Sequence, residues 1–153
     1  MSTGRLKTID HTVQLTHEWL NELMRQLDWD DKQRAYKLLR ATLQSLRDWL
    51  QVNEAVQLSA QLPLLIRGIY FEGWHPAGTP VSERSKADFL ARIDKAFETD
   101  PIDDVDEAVA AVFRVLNQHV SEGEVEDVRN SLPESLRELW SEFGISHAPR
   151  AGL

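Results

Sequence analysis

Shifted against itself by seventy positions, without a gap, the sequence repeats its apolar pattern from Trp19 over Phe89 to Tyr70 over Trp140. Leu20 falls on Leu90, Leu23 on Ile93, Leu27 on Phe97, Leu39 on Val109, Leu43 on Phe113, Leu46 on Leu116, Leu50 on Val120, Leu58 on Val128, Ile66 on Leu136 and Ile69 on Leu139. Identities run beside them: Glu54/Glu124, Leu62/Leu132, Pro63/Pro133, Arg67/Arg137 and Glu72/Glu142. A register held through four segments reads as an internal duplication. A half of roughly 56 residues buries too little surface to be secure alone, and its twin is the nearest apolar surface with which to cover it. The expectation is one domain over 1–153, with a first repeat over about 10–74, a connector over 75–83, a second repeat over about 84–144 and a tail over 145–153.

Within each half the apolar period is helical. Leu20, Leu23, Met24 and Leu27 recur at steps of three and four, as do Leu38, Leu39, Thr42, Leu43, Leu46, Trp49 and Leu50. No stretch alternates apolar and polar over strand length, so the chain reads as all-α. The breaks agree. "DWDD" at 28–31 supplies Asp caps, "SEGE" from Ser121 to Glu124 has the capping-box form, and "SKAD" from Ser85 to Asp88 is a looser second. Pro63 and Pro133 suit a first helical turn, where a missing N–H costs nothing. The prediction is eight helices, over about 10–28, 31–50, 54–61, 63–73, 84–98, 104–120, 123–130 and 133–143, in a compact bundle of two pseudo-symmetric four-helix halves.

Composition narrows the function. The absence of Cys excludes a disulfide scaffold, thiol catalysis and cysteine-ligated zinc. No apolar core follows a basic N-terminus, and no run of about 18 apolar residues occurs, so the expectation is a soluble cytoplasmic protein with no membrane association. A net charge of −8 argues against nucleic acid as a partner. That charge is uneven: residues 19–74 carry seven Lys/Arg and seven Asp/Glu, whereas 89–144 carry five against fourteen.

The segments "TIDHTVQLTHEWLNEL", "LDWDDKQRAYKLLRATLQSLRDWL", "AQLPLLIRGIYFEGWHPAGTP", "FLARI" and "HVSEGEVEDVRNSLPESLRELW" resemble the prokaryotic family catalogued as domain of unknown function 2267, over about residues 8–142. The resemblance implies a compact helical protein of bacteria and implies no activity. The repeated cassette of a short helix, Leu-Pro and then Arg four residues after Pro is also similar in style to helical-repeat interaction modules, which bind other proteins through stacked helices.

Candidate sites are few. "IYFEGWHPAGTP" (69–80) gathers Tyr70, Phe71, Trp74 and His75 beside a Gly/Pro turn. Tyr70 aligns with Trp140 and reads as core, whereas Trp74 and His75 align with Gly144 and Ile145 and are not explained by the repeat. They form either an aromatic staple on the turn or, with Tyr70, the rim of a small-molecule site between the halves. Glu72 and His75 have the Glu-x-x-His spacing of di-iron bundles, but Ile145 replaces the second histidine, and the acidic run "ETDPIDDVDEA" lacks the order of a calcium loop. No metal site, cofactor or catalytic set is read. Lys37, Arg40, Gln44 and Arg47 form a stripe on the second helix, either a solvated face or a docking strip for an acidic partner or a second copy. Arg67 and Arg137, with Glu54 or Glu72 and Glu124 or Glu142 in their own halves, are charges kept through the repeat and predict ion pairs that lock the short helices to their neighbours. The function expected is a non-enzymatic helical protein acting through contacts with an unknown protein partner, by self-association or as a structural accessory; the alternative is a small-molecule binding protein with its site between the halves near Trp74 and His75.

Overall fold

The computed structural model describes residues 4–140. Among them are eight α-helices and no strand: α1 (Lys7–Leu27), α2 (Lys32–Trp49), α3 (Val52–Ser59), α4 (Leu64–Phe71), α5 (Lys86–Ala96), α6 (Val105–His119), α7 (Glu122–Asn130) and α8 (Glu134–Arg137), with a 3-10 turn at Pro76–Gly78 between α4 and α5. The all-α class and the helix count follow the apolar period. The tail expected over 145–153 and Glu142 lie outside the described residues.

Helix starts are set by side chains that accept orphan N–H groups. Asp31 accepts from Gln33 and Arg34, Ser85 from Asp88, Asp104 from Glu107 and Ser121 from Glu124. The first helix ends where Asp28 turns left-handed at φ 56° and Trp29 N–H reaches back to the Met24 carbonyl at 2.9 Å. Gly73, at φ 75°, turns the chain away from the end of α4, a conformation that glycine adopts without strain.

Two boundaries differ from the sequence reading by three residues or more. α1 begins at Lys7, three residues early, because Ile9, Thr12, Val13 and Thr16 continue its face upstream, where Thr12 Oγ1 accepts the Leu65 N–H of α4 at 2.8 Å. α8 is regular only to Arg137, because Leu139 and Trp140 donate three residues back, to Leu136 and Arg137, and tighten the last turn.

α2 lies at the centre, packed against α1, α4, α5 and α6, while α1 also crosses α6 and α3 meets α7. Through the middle runs a row of rings: Trp49 edge-on to Phe89 at 5.2 Å, Phe89 to Phe113 at 6.4 Å, and Phe113 stacked on Trp140 at 4.3 Å. All four are at most 1% exposed, so one continuous core joins α2, α5, α6 and α8.

The ion pairs expected of Arg67 and Arg137 with Glu54 and Glu124 are not formed. Arg67 donates instead to the carbonyls of Ser59 (2.9 Å) and Leu62 (3.0 Å), and Arg137 to those of Arg129 (3.0 Å) and Leu132 (2.8 Å). These carbonyls lie at and just past the ends of α3 and α7, where a helix leaves acceptors without internal partners. A guanidinium satisfies two of them at once, which a carboxylate cannot do.

Candidate functional site

Much of the polar stripe of α2 turns onto the end of α4. Gln44 donates to the Ile69 carbonyl at 2.8 Å, Arg47 Nη1 to the carbonyls of Tyr70 and Glu72 at 2.9 Å each, and Arg40 pairs with the Glu72 carboxylate at 3.4 Å. The stripe therefore caps the C-terminus of α4, where the carbonyls carry the negative end of the helix dipole. Arg47 is 5% exposed, so it belongs to no docking strip. Its other edge meets Asp48 at 2.9 Å, and Asp48 takes Arg92 at 3.0 Å. Lys37 leans its ammonium over the Phe97 ring at 5.0 Å.

The rings of the 69–80 segment separate in the same way. Tyr70 is fully buried, its hydroxyl donating to the Ala55 carbonyl at 2.8 Å, and it offers no surface to a ligand. Burial is the main cause that raises its phenol well above the ordinary value. Trp74 is half-buried and stacked on Phe71 at 5.0 Å, with its indole N–H buried and without an acceptor. His75 is exposed at the start of the Pro76–Gly78 turn. Trp74 thus packs on Phe71 at the end of α4, at the edge of the core.

A surface that the sequence reading missed lies on the other side of α4. Ile9, Thr12, Val13, Tyr36, Leu64, Leu65, Gly68 and Ile69 line a groove of about 660 Å³ between α1, α2 and α4. Seven large apolar side chains are exposed among the described residues; Ile9, Val13, Leu64 and Leu65 line this groove, and Leu6 stands one turn before Ile9 on the same face of the chain. The remaining two, Val52 and Val56, lie on α3. The signal in the sequence was the contrast between Leu64, Leu65 and Gly68 and the residues seventy positions on, Glu134, Ser135 and Glu138.

Where α3 meets α7, acids gather. Ser121 Oγ accepts the Glu124 N–H at 3.2 Å, as a capping box requires, but the return bond is not made: Gln61 Oε1 takes the Ser121 N–H at 2.7 Å. The Glu124 carboxylate turns inward instead, toward Glu54 and Asp127, with one oxygen of each of the three within 4.8 Å of the others. Burial first, and then Glu54 and Asp127, push the Glu124 carboxyl up to about 7. Burial, followed by Asp127, raises Glu54 as well.

A pH dependence follows. An acid held higher in the folded chain than the ordinary 4.5 takes up a proton on folding between the two values. The stability this proton contributes is complete below about 4.5 and is lost as pH rises through about 7. In metal-free buffer, urea unfolding of the wild type is expected to lose about 2 kcal/mol between about pH 5 and pH 8 relative to Glu124→Gln, whose own slope lacks this component. Parallel profiles for the two proteins would show that Glu124 ionises freely in the fold.

No helix among the described residues is long and apolar enough to cross a membrane. No curated protein matches the sequence. The family model described as "Uncharacterized conserved protein (DUF2267)" matches residues 16–139, most of the chain, and the chain belongs to that family.

Proposed function

We propose that the chain is a non-enzymatic cytoplasmic protein that works through protein contacts, and that its contact surface is the apolar face of α1 and α4, covered by a second copy of the same chain. The same reading takes the fold as two pseudo-symmetric four-helix halves. In support, α1–α4 and α5–α8 each run from two longer helices to two short ones, and Arg67 and Arg137 hold equivalent carbonyls seventy residues apart.

The observation that carries the proposal is the difference between the two halves at one surface. A fold position that accepts Glu134 and Glu138 does not need Leu64 and Gly68 for stability. The α1 turns carrying Ile9 and Val13 lie upstream of Trp19, where the aligned apolar pattern begins, and add further apolar surface. Clustered exposed apolar side chains mark contact surfaces.

Two arguments favour a second copy as the occupant. The face carries both knobs and a hole, since Ile9 (54% exposed) and Leu64 (56%) flank the groove, and an isologous contact needs both on one surface. Because such a contact is isologous, it uses the same face on both copies, closes as a dimer and does not propagate. Electrostatics agree: pairing through the neutral first half keeps the two acidic second halves apart. The net charge of −8 also disfavours nucleic acid and anionic membrane as partners.

Sedimentation equilibrium tests this. At about 50 μM the wild type is expected to be dimeric, and Ile9→Glu with Leu64→Glu monomeric, with the melting temperature nearly unchanged because both side chains are more than half exposed in the single chain. A wild type that stays monomeric at about 200 μM, alone or beside a copurified partner, would overturn the choice of a second copy.

A further inference from the structure

The acids between α3 and α7 are not explained by stability. Glu124 is 9% exposed, and one oxygen of Glu124 and one of Glu54 are fully buried without a hydrogen-bond partner. An uncompensated buried carboxylate is among the costlier features a fold can hold, and here two face each other with a third beside them. The local bonds make the arrangement more specific. Gln61 takes the partner that a capping box would give to the Glu124 carboxylate: its Oε1 accepts the Ser121 N–H at 2.7 Å, while its Nε2 donates to Ser121 Oγ at 3.0 Å. Nothing in that cap draws the Glu124 carboxylate away from Glu54.

We propose that Glu54, Glu124 and Asp127 form a binding site for one divalent, oxygen-seeking cation of calcium size, which clamps α3 to α7. Three carboxylates with no histidine or thiol select hard cations over zinc or copper. Calcium bonds of about 2.3–2.6 Å let two oxygens on one ion stand up to roughly 5 Å apart. Three oxygens sharing one such ion stand at most about 4.5 Å apart, and the three carboxylate oxygens, within 4.8 Å of one another, need only a small side-chain adjustment to reach that spacing. Asp127 is exposed and provides both the route in and the side on which water completes the coordination shell. The site is invisible to a search for ligand spacing in the sequence, because Glu54 and Glu124 are seventy residues apart and meet only when α3 packs on α7.

The proposal is independent of the apolar face and of the oligomeric state, and its test reads neither. Calcium chloride is titrated calorimetrically into the chelator-stripped full chain at about pH 7.5, with thermal unfolding in parallel. One calcium ion per chain, a dissociation constant in the micromolar to millimolar range and a melting temperature raised by calcium are expected. Glu124→Gln, nearly isosteric and relieved of charge repulsion, is expected to keep its helical circular dichroism and to weaken calcium at least tenfold. Asp127→Asn, on the exposed side, gives a second reading on a fold that the substitution does not disturb, with the same direction expected. No saturable binding and no thermal shift up to about 10 mM calcium would overturn the site and leave a shared proton as the neutralising charge. So would calcium bound equally tightly by the wild type and both variants.

Discussion

Arg47→Ala is expected to cost about 3–5 kcal/mol of folding stability, although Arg47 belongs to a stripe that looks solvent-facing in the sequence. The side chain is 5% exposed and serves three acceptors: the Tyr70 and Glu72 carbonyls at 2.9 Å each and the Asp48 carboxylate. Truncation leaves the last carbonyls of α4 without their charged donor and Asp48 with only Arg92, so buried acceptors lose a charge-assisted bond without gaining water. Arg47→Lys is expected to recover only part of the loss, because an ammonium cannot reproduce a planar fork that reaches two carbonyls and a carboxylate together. For a chain of this size the full loss corresponds to a melting temperature lower by about 6–20 °C. Arg40→Ala is the control. Its pair with Glu72 is 42% and 63% exposed, and its loss should cost less than about 1 kcal/mol. Equal costs for the two substitutions in urea unfolding would mean that the buried cap on α4 contributes no more than a surface pair.

What could be read from the sequence, and what could not, divides along the same line. Apolar period alone placed Leu39, Leu43, Leu46, Val109, Phe113 and Leu116, because burial of a helix face is a local pattern, and all six are at most 1% exposed. Caps such as Asp31 and Ser85 were legible for the same reason, since their acceptors and donors lie two or three residues apart. Partner choice was not. Spacing puts Arg40, Gln44 and Arg47 on one face of α2 but says nothing of what that face meets, and it meets the end of α4. Charge complementarity suggested Glu54 for Arg67, yet a guanidinium beside a helix end finds carbonyls that have no other donor, and these win. The apolar groove was legible in principle. Comparison of the repeats by what differs, Leu64 against Glu134 and Gly68 against Glu138, points to it, whereas comparison by what is shared points only to the core.

Trp140→Ala is expected to cost about 3–5 kcal/mol, and the loss should unfold the chain as a whole instead of fraying its last helix. α8 has four regular residues and cannot hold itself by internal hydrogen bonds. Trp140 anchors it. The indole is 1% exposed, stacks on Phe113 at 4.3 Å and donates from Nε1 to Asn117 Oδ1 at 2.8 Å, while the Trp140 carbonyl accepts from Arg129 at 2.8 Å. Phe113 in turn touches Phe89, and Phe89 touches Trp49, so a cavity at one end of the row removes contacts from the centre of the core. Tyr70→Phe is the informative comparison, because Tyr70 aligns with Trp140 and loses only one hydroxyl bond, to the Ala55 carbonyl, for about 1 kcal/mol. Trp140→Phe should fall between the two, since it keeps a ring on Phe113 and gives up the indole N–H. Hydrogen exchange distinguishes the routes. If the core is continuous, amides of α2 and α6 exchange faster in Trp140→Ala by the same free energy that urea unfolding reports. Acceleration confined to α8 and α7 would show instead that the second half ends in a separable unit, and that the row of rings does not carry the coupling assigned to it.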